Sequence, residues 1–242
     1  MTTFDIAQQV LSIAGLASEG LCALSFVVSG KVRSLPLVFC YLTYLFVSDS
    51  VLILIARTSD IWPVLVITTY IGYLVEAAAV WELACRLLRN SGSGATSLKW
   101  RLTALCCVLS ALAAYLMTDM QSYSDFGSAE QNFLRVDLAV SILRVLAFIA
   151  ILVFLRLESS GPNAVTSRVI SVFAAYAICA MLEHVLNELA PRLKLPAGTF
   201  AVSECVCGYM WVFLLCILIW QVLRPVAASL DSTESCESHN YG

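Results

Sequence analysis

The sequence predicts an all-α, polytopic membrane protein built as a seven-transmembrane-helix bundle, and three observations carry that expectation. Hydrophobic residues make up 60% of the 242 and charged residues only 13%, against about half and a quarter in water-soluble domains. Mean hydropathy is +0.86. Apolar runs of membrane-spanning length recur with short polar breaks, and at about 20 residues per crossing the chain holds about seven helices and no separate soluble domain.

The runs fall at 8–29, 35–56, 62–88, 102–118, 133–155, 169–190 and 199–223. At 1.5 Å per residue they match a hydrocarbon core about 30 Å thick, the fourth being the shortest. They must be helices, because lipid offers no partners for free backbone groups, and they lack the alternation of a barrel strand. Residues 1–9 contain no basic charge and lead into a full-length run, so no cleaved signal peptide is expected. Pro36, Pro63, Pro191 and Pro196 fall at predicted helix ends or in loops. The segment 90–97 (NSGSGATS) reads as a flexible turn, and the polar, acidic stretch 227–242 as a disordered cytoplasmic tail following a transmembrane domain at 1–226.

Orientation follows from the loop bases. Lys31, Arg33, Arg86, Arg89, Lys99, Arg101, Arg156, Arg168 and Arg224 lie on one side, and Arg57, Arg192 and Lys194 on the other. This asymmetry puts the first set inside, hence the N-terminus out and the C-terminus in. The loop 119–132, with Asp119, Asp125 and Glu130 and no base, agrees, and the expected location is the plasma membrane. A 3+1+3 parallel repeat is also legible. Asp49 and Glu183 each stand two positions before a Val-Leu pair and seven before an Ala, and Gly72-Tyr73-Leu74 matches Gly208-Tyr209-Met210 at nearly the same offset.

Charges inside the runs are the main functional signal. One at a helix centre costs about 2.5 to 3.5 kcal/mol on insertion scales, so each requires a partner, a cavity or a proton. Glu19, Glu76 and Arg144 fall at midpoints; Asp49, Glu183, His184 and Glu204 fall a turn or more toward the outer face. Glu82 stands alone in the inner half, and Arg135 and Asp137 are near enough to the outer interface to snorkel. Five carboxylates (Glu19, Asp49, Glu76, Glu183, Glu204) face one Arg144 and one His184, so they cannot all be paired as ions. The expected function is therefore an outward-opening polar cavity, walled by these seven residues, that binds or transports a small solute or cation with linkage to protons. The alternative is a non-catalytic membrane subunit or sensor scaffold whose buried charges fix helix packing or meet a membrane partner.

Absences narrow the classes. The seven-helix, N-out plan resembles opsins, but Lys31, Lys99 and Lys194 all lie in loops, so no retinal Schiff base can form. One buried histidine cannot supply bis-histidine haem ligation or a zinc hydrolase cluster, and no cofactor or metal is expected. No context marks Ser141 or Ser203 as an activated nucleophile, so catalysis is not expected. The 3+1+3 plan is similar to that of SWEET-type sugar transporters, whose Pro-Gln signature and kinking prolines this chain lacks. Most of the ten cysteines sit in apolar runs and read as small hydrophobes. The dispersed bases form no nucleic-acid surface; the expected partners are the lipid bilayer, the solute or cation, and in the alternative a membrane protein.

Overall fold

Prolines and a glycine set where the first helices begin and end. In the computed structural model, which describes residues 3–55, 61–89, 128–157, 164–192, 194 and 198–224, the described backbone is helical apart from short turns. The helices are α1 (Thr3–Val28), α2 (Pro36–Ile55), α3 (Trp62–Arg89), α4 (Ser128–Leu157), α5 (Ala164–Arg192) and α6 (Gly198–Leu223). Each contains a stretch long and apolar enough to cross a membrane, and no strand occurs among the described residues. The predicted span 102–118, the turn 90–97 and the tail 227–242 lie outside the described residues.

Pro36 opens α2 and Pro63 follows the first residue of α3; both are places where a helix has no use for the missing N–H. Gly30 ends α1 in the left-handed region at φ 67°, its N–H donating to Val27 O at 3.0 Å, and a 3-10 turn (Lys31–Arg33) leads into α2. The Lys31 ammonium reaches across to donate to Val222 O at the end of α6, where a cation also favours the helix dipole. Burial, and secondarily Arg168, pulls the Lys31 pKa below its ordinary value.

Three predicted starts shift by five residues: α1 begins at Thr3 rather than 8, α4 at Ser128, inside the expected loop 119–132, and α5 at Ala164 rather than 169. An apolar run marks the part of a helix that lipid would surround; the hydrogen-bonded backbone continues past it into the interface, where polar side chains are compatible with helix.

Contacts order the helices into a ring: α1 on α2, α2 on α3, α3 on α4, α4 on α5, α5 on α6, and α6 back on α1, with α3 also touching α5. The α3–α4 seam is the sparsest. Side chains show the sense of each helix. Lys31 meets Val222 and Leu11 lies beside Gly208, so α1 and α6 run parallel. Trp62 packs edge-on against Phe133 at 5.3 Å, and Glu76 meets Arg144, so α3 and α4 also run parallel.

Polarity is inverted relative to a water-soluble protein. Leu74 is 73% exposed, and Leu54, Trp81, Phe213 and Trp220 are also exposed, whereas Glu19 is 3% and Glu76 8% exposed. That distribution suits a lipid surround. The buried apolar core includes Phe26, Val38, Leu42, Leu83, Phe148, Ile170, Phe173, Leu215 and Leu218. Most of these belong to the half of the bundle that carries Lys31, where large side chains close the interior. In the other half α1 contributes Gln8, Ser12 and Gly15, which fill less space.

Gly208 marks the tight approach of α6 to α1. A Cβ there would stand 2.5 Å from Leu11 Cδ2 and 3.1 Å from its Cγ. Gly208→Ala therefore gains about 0.5–1 kcal/mol of helix propensity but forces Leu11 aside at about 1–3 kcal/mol. The expected outcome is a net destabilisation, larger for Gly208→Val, read as a lower midpoint in SDS-induced unfolding; Leu11→Ala introduced alongside Gly208→Ala should recover part of the loss.

Candidate functional site

Three of the seven site residues expected from sequence share one cavity. Its volume is about 370 Å³, and α1, α2 and α6 line it with Gln8, Leu11, Ser12, Gly15, Glu19, Asp49, Leu52, Ile53, Glu204, Cys205, Gly208 and Trp211. The lining runs from Glu19 and Trp211 near mid-helix to Gln8, toward the end of the bundle opposite Lys31. Gly15 leaves open space on α1, and Glu19, one turn beyond it, forms the deepest polar point.

Glu19 is held in place. The Trp211 indole N–H donates to Glu19 Oε1 at 2.9 Å, while Glu19 Oε2 is buried without a hydrogen-bond partner. Trp211 is fixed in turn by Tyr176 of α5, whose ring centroid lies 4.2 Å away. Asp49 is half-buried and Glu204 exposed. Among the described residues the lining contains three acids and no Lys, Arg or His.

Glu76 and Arg144 are separate from this cavity and meet each other. Arg144 Nη2 donates to Glu76 Oε2 at 2.7 Å, and Nε lies 2.6 Å from Oε1, close enough for an ion pair although its N–H is not aligned for a hydrogen bond. Tyr41 and Tyr176 stand near the guanidinium. Arg144 therefore balances Glu76 across the α3–α4 seam, and Glu19 has no cationic partner among the described groups.

His184 also finds a partner outside the expected set. Its Nε2 lies 3.4 Å from Asp137 Oδ2, and the Tyr73 hydroxyl donates to Asp137 Oδ1. Asp137 thus joins α3, α4 and α5 rather than snorkelling outward. The signal was present in its spacing: Asp137, Ser141 and Arg144 share one helix face at i, i+4 and i+7, and Ser141 is buried. Glu183 lies near Cys207 and Glu204 and is not in the cavity lining.

Glu82 is not alone, as its position in the sequence suggested. Its Oε2 accepts from the backbone N–H of Leu37 at 2.8 Å and of Val38 at 3.2 Å, and its Oε1 accepts from Arg86 at 3.1 Å. This carboxylate caps α2, a role that depth along its own helix could not reveal.

Chemically, the arrangement offers an acidic cavity, one buried and one part-buried polar link between helices and one helix cap. Among the described residues no three of His, Cys, Asp and Glu are gathered closely enough to hold a metal ion. No protein-family model, curated protein or solved structure matches the chain, so its assignment rests on a bundle of apolar helices compatible with a multi-pass membrane protein and on this geometry.

Proposed function

We propose that the protein binds or transports a small solute or cation through the cavity between α1, α2 and α6, with linkage to protons. One observation carries this reading: carboxylates from three helices line one open cavity without a base among its described lining residues. Charge left uncompensated in lipid is costly enough to imply that a cation or a proton completes the site. Glu19, Asp49 and Glu204 are assigned to ligand or proton, with Glu183 next to them. Glu76, Arg144 and His184 are assigned to holding the helices in register.

The reading includes a seventh span at 102–118. The parallel sense of α3 and α4 supports it, since it puts the end of α3 and the start of α4 at opposite ends of the bundle. The N-out orientation in a plasma membrane, with the cavity facing outward, rests on the loop bases. The ring order, in which α2 lies opposite α5 and α3 opposite α6, supports the parallel repeat.

In proteoliposomes, Asp49→Asn and Glu204→Gln together are expected to reduce pH-gradient-driven cation uptake by about tenfold or more, the loss of one to two charge-assisted contacts. Unchanged uptake with unchanged pH dependence would refute the assignment. A second reading, a non-catalytic subunit or sensor scaffold, is favoured by the Glu76–Arg144 and Tyr73–Asp137–His184 links, which join helices without lining the cavity. Purified chain that stays monodisperse and stable with no co-purifying protein counts against it.

A further inference from the structure

We infer that the ligand of this cavity is a small organic ammonium ion with at least one N–H and a short apolar body, rather than a bare inorganic cation. This rests on the cation-binding reading above and names its substrate class. Three features of the cavity point the same way.

The first is the unsatisfied acceptor. Glu19 is almost fully buried and one of its oxygens accepts from Trp211, yet Oε2 has no donor. A buried carboxylate oxygen left without a donor is costly, and an N–H of positive charge is the donor that best offsets it. A quaternary ammonium cannot supply that hydrogen bond. The second is the spread of the acids. Glu19, Asp49 and Glu204 stand around the cavity without gathering into a set that could chelate one ion, whereas a metal ion requires several oxygens at about 2.0–2.6 Å from one point. An extended ligand meets separated carboxylates more readily.

The third is the nature of the walls. Leu11, Leu52, Ile53 and Trp211 line the cavity together with the acids, giving an apolar surface for a hydrocarbon body beside an anionic anchor. At about 370 Å³ the space lies near the small end of pockets that enclose organic ligands, which begin at about 300 Å³. The ammonium sits at Glu19, whose carboxyl turns to present the otherwise enclosed Oε2 to the cavity, the body lies along Leu52 and Ile53, and Asp49 and Glu204 supply the field that draws the cation in.

Isothermal titration calorimetry on the full chain in lipid nanodiscs tests this with n-butylammonium, tetramethylammonium, sodium and potassium chlorides at constant ionic strength. Saturable binding of butylammonium is expected, weakened by about tenfold or more in Glu19→Gln and several-fold in Asp49→Asn and Glu204→Gln. The last two sites are partly open to solvent, so they test the charge dependence even if Glu19→Gln fails to fold. Tetramethylammonium binding as tightly as butylammonium would overturn the donated hydrogen bond and with it the inference. Sodium or potassium binding without butylammonium binding would overturn the inference while leaving the cation reading intact. If none of the four binds, both fall.

Discussion

Arg144→Met is expected to destabilise the bundle by about 3–5 kcal/mol, the range for breaking a buried ion pair from one side, read as a marked fall in the SDS-unfolding midpoint. The reason lies less in the attraction lost than in what is left behind. Glu76 is buried at the α3–α4 seam and has its charge compensated by Arg144 alone in the geometry described. Without the guanidinium it must take up a proton or stay ionised in a low-dielectric interior. A control separates these effects. Combining Arg144→Met with Glu76→Leu removes both charges and should restore most of the stability, because replacing a buried pair with apolar residues is often neutral. If the double variant is as unstable as the single one, the pair contributes specific geometry that hydrocarbon cannot replace.

Glu82→Leu should cost about 2 kcal/mol or more through two orphaned backbone donors, and the donor inventory of α2 explains why. A helix start leaves its first N–H groups without intrahelical acceptors. In α2 Pro36 has none to satisfy, Leu37 and Val38 donate to Glu82 Oε2, and Phe39 donates to Leu35 O at 3.0 Å. Every donor of the first turn is thus placed, two of them by one side chain from α3. Val38 is fully buried, so water cannot substitute at that position without disturbing the packing. Glu82→Gln keeps an acceptor and should cost clearly less, whereas Arg86→Ala should have a small effect, since Arg86 is 38% exposed and such pairs contribute roughly 0–1 kcal/mol. Amide exchange at Leu37 and Val38 that is unchanged in Glu82→Leu would contradict the capping role.

Helical class, the positions of six long apolar helices and an excess of acid over base within the apolar runs could all be read from the chain. These properties follow from composition and from distance along one helix: a run of apolar residues has one stable conformation in lipid, and a residue's place in it sets its depth. The prolines at 36 and 63 and the glycine at 30 were equally legible, because their constraints act on their own backbone. Depth also explains the errors. Glu82 looked isolated because no other charge shares its level within the runs, yet its main partners are backbone N–H groups, which carry no signature in a sequence. Asp137 looked interfacial because it lies near the start of its run, yet its neighbours across the seam are Tyr73 and His184.

What the tertiary structure alone decided is azimuth: which face of each helix meets which neighbour. Glu19 and Glu76 lie at the same depth, and only the ring order gives Arg144 to Glu76 and leaves Glu19 facing the cavity with Asp49 and Glu204. A helix fixes the relative directions of its own side chains to within about 100° per residue, but its rotation against its neighbours is set by packing, here by contacts such as Gly208 against Leu11 and Trp211 against Tyr176. The chain by itself therefore determined how many acids lie within its apolar spans, and packing determined which of them are matched and which share the cavity.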